Sequence, residues 1–424
     1  MRSRRTSSLQ PYNVPVAALH PFRALRPAPD VASAVSSVPY DVVTTDEVRR
    51  LIAANPLSFL RVTRSEAEFR DGIDPYSSAV YERARQNLAA LRERATLVLD
   101  EGPALYLYRL RMGAHEQTGL AGCFSLDEYE RDDIKKHERT RRDKEDDRTR
   151  HIVELRAQTG VVFLTYRALP EVDAQARMVA AGDALYDFTA ADGVQHTIWR
   201  AGPDAATRLV AAFERIPALY IADGHHRAAS AARARAELRD HPGGAAGAAD
   251  ANTFVAVAFP DNQVQILAYN RTVKDLAGQS PGEFLAALRT TLPVAEGPAT
   301  PSRKGEVSMY LNGRWHTLDL ANAEPEDASR ASSLDVALLQ RHVLERMLDI
   351  RDIRTDKRID FVGGARGTAA LEDAVRSGAA AVAFSMFPVS IDDLLAISDA
   401  GGIMPPKSTW FEPKLRDGLL THVI

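Results

Sequence analysis

An apolar run, Ala218-Leu219-Tyr220-Ile221-Ala222, ends in Asp223-Gly224-His225-His226-Arg227 and passes without a break into the alanine-rich stretch Ala228-Ala229-Ser230-Ala231-Ala232. The first part is a short buried strand, and alanine at this density gives the second part high helix propensity. Glycine is the residue that turns one into the other without steric cost. A strand that turns on glycine straight into a helix leaves the first helical N–H groups unpaired and directs the positive helix end at the same point. Histidine and arginine there add further donors. Asp223, Gly224, His225, His226 and Arg227 are therefore candidate phosphate or nucleotide contacts. The plainer alternative has Asp223 capping the helix while the histidines pack or face solvent. A metal held by His225 and His226 is disfavoured, because adjacent residues at a helix start point about 100° apart.

The rest of the composition bounds the setting of such a site. With 424 residues the chain has room for about two or three domains. Its charge of 53 − 57 = −4 argues against general affinity for nucleic acid or anionic membranes, so any anion site is local. The lone Cys123 can form neither an intrachain disulfide nor a thiolate metal cage; it reads as a small buried hydrophobe, and the cysteine usage fits a reducing cytoplasm. No apolar run approaches the roughly 20 residues of a membrane span, and no apolar segment follows Met1-Arg2-Ser3-Arg4-Arg5, so a secretory signal is not expected. Neither Gly-x-x-x-x-Gly-Lys-Ser/Thr nor Gly-x-Gly-x-x-Gly occurs.

Patterning divides the chain into a disordered extension at 1–12, an N-terminal and central α/β region at 13–269 that carries the turn, a small α+β subdomain at 270–330, and a C-terminal α/β region with a strap at 331–424. Folding is expected to begin near Val14. Thr44 reads as a helix N-cap for a helix to about Ala54, and a second helix is expected over 76–97. Ala104–Met112 and Thr118–Leu126 read as a hairpin. The charge-dense run 128–150 leads into a helix ending near Gln158, and Val161–Tyr166 is a buried strand. Leu185–Phe188 and His196–Trp199 form a strand pair, and Pro242-Gly243-Gly244 a flexible loop. Phe254–Phe259 and Val264–Tyr269 read as a hairpin across Pro260-Asp261-Asn262. Further on come a helix at 282–290, strands at Glu306–Leu311 and Gly313–Leu318, a helix at 334–349, strands at Ile359–Val362 and Ala380–Phe387, and a helix at 391–399. The mixture predicts an α+β or mixed α/β fold and no regular barrel.

Three other segments carry chemistry. In Pro405-Pro406-Lys407-Ser408-Thr409-Trp410-Phe411-Glu412-Pro413-Lys414-Leu415-Arg416 two prolines stiffen the backbone while Lys407, Ser408 and Thr409 offer donors to a phosphate or carboxylate; the alternative is a strap that packs Trp410 and Phe411 into the core. Arg23, Arg26 and the turn Pro39-Tyr40-Asp41 are candidates for the same cleft. In Arg354-Thr355-Asp356-Lys357-Arg358-Ile359-Asp360-Phe361-Val362-Gly363-Gly364, Asp356 or Asp360 could hold Mg²⁺ through water, against the plainer reading of a strand and turn.

Asp-Gly-His-His-Arg after an apolar strand resembles the phosphate-binding signature of the ParB and sulfiredoxin-like fold as it occurs in free serine kinases. Over nearly the whole chain, His20-Pro21-Phe22-Arg23-Ala24-Leu25-Arg26-Pro27, Pro39-Tyr40-Asp41-Val42-Val43, Lys135-Lys136-His137-Glu138, Pro217 to Ala229, Arg354-Thr355-Asp356 and Met404 to Phe411 resemble the family called domain of unknown function 1015, whose members are often labelled ParB-like. The resemblance implies a ParB/sulfiredoxin-like core with inserted strands and helices, and a nucleotide, ATP or ADP with Mg²⁺, as partner. It further implies phosphate transfer to the hydroxyl of a serine-like metabolite, with Glu138 of the His137-Glu138 pair as general base and Lys136, Arg148 and His151 as contacts to phosphate or substrate. The chain departs from the compact kinases in separating Glu138 from Asp223 by 223 − 138 = 85 positions. The same constellation could run as a phosphoserine-type phosphatase with Glu138 orienting water, or serve a non-catalytic, ParB-like nucleotide-binding regulator. A DNA-clamp version is disfavoured by the acidic balance and the lack of a recognition helix, and the oligomeric state is left open.

Overall fold

The computed structural model describes residues 18–94, 96–239 and 250–424. The expected extension at 1–12, the start of folding near Val14 and the Pro242-Gly243-Gly244 loop lie outside the described residues. The fold is mixed α+β, with two large sheets and smaller ones between and beside them.

Tyr106–Met112 and His115–Ser125 form the expected hairpin, turning at Gly113, and lie at the middle of a nine-stranded sheet. Their alternation sorts side chains by face. Leu105, Leu107, Leu120 and Phe124 meet the helices Pro170–Ala180, Pro203–Phe213 and His225–Arg239 on one side. Tyr106, Tyr108, Leu110 and Cys123 meet the helix Ile391–Asp399 and the chain end at Phe411, Leu415 and Leu419 on the other. The C-terminal chain thus forms a face of the main core, and Arg416 fastens it further by donating from Nε to His196 Nε2 at 3.3 Å.

Beyond the hairpin the sheet continues through Thr253–Pro260, Val162–Tyr166, Leu219–Asp223 and the two-residue strand Ile134–Lys135. Two expectations are corrected here. Phe254–Phe259 does not pair with Val264–Tyr269; Thr253–Pro260 is buried from Phe254 onward and takes His115–Ser125 and Val162–Tyr166 as its neighbours. A fully apolar strand is satisfied in a sheet interior, which leaves no edge for the following segment. Ile266–Leu267 pairs instead with Trp410–Phe411, and Tyr269–Val273 joins the second sheet. The charge-dense run is likewise no single helix. Leu126–Glu130 closes at Asp132, whose φ of 67° is left-handed; Ile134–Lys135 then enters the sheet, and a new helix, Arg142–Leu155, ends at the left-handed Arg156 rather than at Gln158.

The second sheet is six-stranded and antiparallel, in the order Val294–Glu296, Arg314–Asp319, Glu306–Leu311, Val382–Met386, Tyr269–Val273 and Ile359–Gly363, so it draws strands from either side of residue 330. It buries Phe284, Leu339, Val343 and Phe384 against the helices Pro281–Thr291 and 335–348, the latter loosened into a π turn over Gln340–Glu345. Thr44 caps the helix Thr45–Ala54 in a full capping box with Glu47.

The main sheet is packed closely enough to exclude a methyl group at one point. A Cβ on Gly119 would stand 2.7 Å from Val257 Cγ1 and 2.8 Å from the carbonyl oxygen of Ala258. Gly119→Ala is therefore expected to lower the free energy of unfolding by about 1–3 kcal/mol in urea titrations. Gly102→Ala, where a Cβ meets nothing within 4 Å, should stay close to wild type.

Candidate functional site

Parallel pairing of Leu219 with Ile134 and of Tyr220 with Lys135 carries both chains to the same end of the sheet, so that Lys136-His137-Glu138 emerges beside Asp223-Gly224-His225. Gly224 adopts φ +98°, and a Cβ there would lie 3.2 Å from Arg227 Nη1 and 3.4 Å from Val162 Cα. The first helical bond runs from Ala228 N–H to Gly224 O at 3.1 Å. The N–H groups of residues 225–227 consequently have no partner within their helix.

Both histidines of the turn bind the neighbouring segment through Nε2. His225 accepts from the His137 N–H at 3.4 Å, and His226 from the Arg141 N–H at 2.9 Å. An acceptor at Nε2 places the proton of neutral His225 on Nδ1, which lies 3.6 Å from Glu138 Oε2. The rings of His137 and His225 meet edge to face at 4.4 Å. Burial keeps these imidazoles neutral: it lowers His137 to about 4 and His225 well below its ordinary value. Glu138 is 55% exposed yet lies among protein groups that raise its pKa, first by crowding out water and then through the charges of Asp223 and Asp41, with Lys407 opposing.

Arg227 is buried under the turn. Its Nη2 donates to both oxygens of Asp41 at 3.0 Å and its Nη1 to Val161 O at 3.1 Å, while Asp223 Oδ2 stands 4.0 Å away. Tyr40 presents its ring to two guanidinium groups, Arg148 at 4.4 Å and Arg227 at 5.6 Å. Burial would raise the Asp223 carboxyl, but Lys414, 3.3 Å away, and Arg227 together hold it well below the usual carboxylate range. Asp417, 3% exposed, is pushed up to about 7 by burial and by Asp41, against the pull of Arg227.

The C-terminal strap completes the cleft. Met404 N–H donates to His137 O at 2.8 Å, directly behind Glu138. Lys407 is exposed and left-handed at φ 56°, Ser408 is buried and Thr409 half-buried. Trp410 packs on Tyr269 and against Gly363, and Lys414 Nζ sits 4.7 Å over the Trp410 ring. The aromatic residues of the strap pack, as the plainer reading has it, while Lys414 bonds Asp223 and the Lys407 charge reaches Glu138.

Other candidates have different surroundings. Arg148 is engaged by Asp147 at 2.7 Å and by Thr63 O, and His151 donates from Nε2 to Val62 O at 3.1 Å inside the core, its pKa lowered to about 4 by burial and by Arg148. Lys136 pairs with Asp132 at 2.8 Å. Of the N-terminal candidates Tyr40 and Asp41 join the site, whereas Arg23 and Arg26 bond Asp100. Asp356 pairs with Arg358 and Asp360 with Lys274; Gly363 and Gly364 leave room for Trp410 and the Ala268 backbone. Cys123 is buried. Asp417 and Arg271 escape the reading of the sequence, since no motif marks them; Lys414 lies in the strap segment Pro405–Arg416 but is not singled out there, and only the folding of the strap onto the sheet brings it to Asp223. Among the described residues there is no cluster of three or more His, Cys, Asp or Glu that could hold a metal, and no helix long and apolar enough to cross a membrane.

The protonation of Asp417 is linked to stability. A carboxyl whose pKa is raised by folding binds its proton more tightly in the native state, so stability falls as pH rises from about 4, the unfolded value, through about 7. Asp417→Asn keeps the shape and removes the titration. Its unfolding midpoint in urea should exceed that of wild type at pH 8, by a free energy on the order of a few kcal/mol, with the gap closing at pH 5.

No curated protein matches the chain. Among solved structures, C-terminally truncated SbnI from Staphylococcus aureus aligns at 14% identity over 72% of this chain and 87% of its own, with a TM-score of 0.37. Free serine kinase in complex with AMP aligns at 12% identity over 71% and 91%, with a TM-score of 0.35. A conserved hypothetical protein from Pyrococcus furiosus aligns at 13% identity over 71% and 94%, with a TM-score of 0.34. The family described as Protein of unknown function (DUF1015) matches residues 19–337, which include Tyr40, Asp41, Glu138 and the whole Asp223–Arg227 turn but not the strap. On that match over most of its length, the chain belongs to the DUF1015 family.

Proposed function

We propose that the protein is a small-molecule phosphotransferase of the free serine kinase type, on a ParB/sulfiredoxin-like core, moving phosphate between ATP or ADP and the hydroxyl of a serine-like metabolite. The observation that carries the reading is the juxtaposition of Glu138 with the turn, His225 Nδ1 lying 3.6 Å from Glu138 Oε2. A base and an anion cradle then face one cleft, in the chain order of the resembling kinases.

In this reading the donor phosphates rest on the N–H groups of residues 225–227 and on the positive helix end, with Lys414 approaching from the strap. Arg227 adds its charge from beneath and fixes Asp41. His225 and His226 hold the segment from His137 to Arg141 against the helix, which sets Glu138 in position. Ser408 and Thr409 are further contacts from the strap, and Lys136, Arg148 and His151 act on the site only through the groups they hold. Mg²⁺ bound to the nucleotide would neutralise phosphate charge. Such an ion keeps most of its water and needs only one or two carboxylates, and Asp41 and Glu138 offer partly exposed ones.

The acceptor hydroxyl attacks phosphorus. Its O–P bond forms as the bond to the nucleotide's bridging oxygen breaks, the proton passes to Glu138, and the leaving oxygen keeps the electron pair. A carboxylate with a raised pKa is the stronger base for that task, and it acts only when ionised. Activity should therefore rise with pH through a value above the ordinary carboxylate range.

Phosphorus NMR of the full chain with Mg²⁺, L-serine and ATP or ADP is expected to show phosphoserine. Glu138→Gln should cut turnover at least about 100-fold while leaving nucleotide affinity, titrated separately, nearly unchanged. Free phosphate released from phosphoserine alone would move the assignment to hydrolysis. Turnover that survives in Glu138→Gln would remove the proposed base, and nucleotide binding without turnover in any mixture would favour a regulatory protein.

A further inference from the structure

Two arginines near the turn and the strap are buried, each with an unpartnered Nε, and they differ in their counter-ions. Arg227 has Asp41 at 3.0 Å and Asp223 at 4.0 Å. Arg271, on the strand Tyr269–Val273, is 1% exposed; its Nη1 donates to Tyr269 O, its Nη2 to Lys407 O at 3.0 Å, and its Nε is buried with no partner. Its guanidinium lies 5.7 Å from the Phe361 ring centre. Among the described residues Arg271 forms no salt bridge with a carboxylate, and neither does Lys407. A cation removed from water is costly unless an anion compensates it, and here the fold supplies only carbonyl oxygens and aromatic faces.

Lys407 stands on that buried charge. Its carbonyl is the acceptor for Arg271, its backbone is left-handed at φ 56°, a conformation seldom taken by a residue with a side chain, and its Nζ lies 5.5 Å from the Tyr269 ring and 5.9 Å from the Phe361 ring. The ammonium is exposed and its field reaches Glu138. Lys407 is thus a strap cation in no salt bridge among the described residues and within electrostatic reach of Glu138, whereas the strap's other lysine, Lys414, is paired with Asp223 at 3.3 Å.

We propose that Lys407, held in place by Arg271, receives the carboxylate of the acceptor, so that the preferred acceptors are hydroxy amino acids or hydroxy acids rather than plain alcohols or amino alcohols. This rests on the reading of Glu138 as the base at the acceptor hydroxyl. Arg271 is a positioning residue, since it is buried and touches the strap backbone, and Lys407 is the group that meets the ligand. The shared chemistry is an oxyanion, which could also be supplied by a donor phosphate.

The test compares L-serine with ethanolamine, which keeps the hydroxyl and amine and lacks the carboxylate, as acceptors for the full-length wild type, Lys407→Met, Lys407→Arg and Arg271→Met. Measured on the high-pH plateau of activity, where Glu138 is ionised with or without the Lys407 charge, the KM of Lys407→Met for L-serine should rise about tenfold, the loss of one charged hydrogen bond, with kcat and the nucleotide KM within about twofold. Ethanolamine kinetics should not change, and Lys407→Arg should recover most of the loss. Arg271→Met should follow the same pattern; Lys407 is exposed, so its variants keep the test valid where Arg271→Met fails to fold. An equal effect on both acceptors, or a loss confined to the nucleotide or to titrated inorganic phosphate, overturns the assignment. If the wild type transfers phosphate to neither acceptor, the kinase reading fails by itself. Calorimetric titration of L-serine then decides the carboxylate site: binding weakened in Lys407→Met keeps it, and binding equal to wild type removes it.

Discussion

A guanidinium with almost no access to water has to be matched by fixed acceptors, and for Arg227 those acceptors come from parts of the chain far apart in sequence. Asp41 reaches it from the N-terminal turn, Val161 offers a carbonyl from the strand beside it, and Asp223 approaches from its own strand end. Tyr40 lies between this arginine and Arg148, and a Cβ on Gly160 would stand 3.1 Å from the Arg227 Cδ. The turn cannot shift without exposing a bare charge or breaking these contacts. That requirement explains why a surface-like loop, Pro39-Tyr40-Asp41, is drawn onto the end of the main sheet, and why the cleft has a rigid floor.

The histidines serve the same end by a different route. A charged imidazole could not accept a hydrogen bond at Nε2, and burial keeps both rings neutral, so His225 and His226 can accept backbone N–H groups from the segment that carries Glu138. Asp-Gly-His-His-Arg is in this light a structural fastening, whatever ligand it meets. Side chains hold the neighbouring segment, and the backbone N–H groups at the helix start remain directed at the cleft. The histidines thus pack and bond as the plainer reading of the motif has them.

How much of this is legible in the chain depends on the range of the interaction. Strand, glycine turn and alanine-rich helix are local preferences, and 219–239 follows them closely; Thr44 with Glu47, and the hairpin through Gly113, are readable for the same reason. Ile134–Lys135 is not, because two residues inside a charged run carry no period and become a strand only when Leu219 and Tyr220 pair with them. The false hairpin at 254–269 arises where local alternation is overruled by two better neighbours for a fully buried strand. Arg148 and His151 belong to the same charged run, and composition cannot tell that Asp147 and the Val62 carbonyl engage them. Asp417 and Lys414 are further cases, since nothing near them in sequence signals Ser37 as backbone partner of the one or Asp223, 191 positions away, as side-chain partner of the other.

The strap lies beyond residue 337, where the family match ends, yet it is bonded to the backbone behind Glu138, to Asp223 and to Arg271. Its contribution is chiefly one of charge. Asp41, Asp223 and, from the C-terminal chain, Asp417 gather about the Arg227 guanidinium, and burial together with Asp41 leaves Asp417 with a pKa of about 7. Arg271 and Lys407, by contrast, form no salt bridge with a carboxylate among the described residues, and the Lys407 charge reaches Glu138. An asymmetry of this kind acts on a small ligand before any contact is made: a molecule bearing both an anionic end and a neutral hydroxyl is turned with its anion to the strap and its hydroxyl to the acids. Orientation is where catalysis of phosphoryl transfer gains most, because the reaction asks the protein for alignment and for stabilisation of charge rather than for covalent chemistry. In the proposed reaction the turn, inside the family match, would hold the donor, while the selection of the acceptor would fall to a segment that lies outside it.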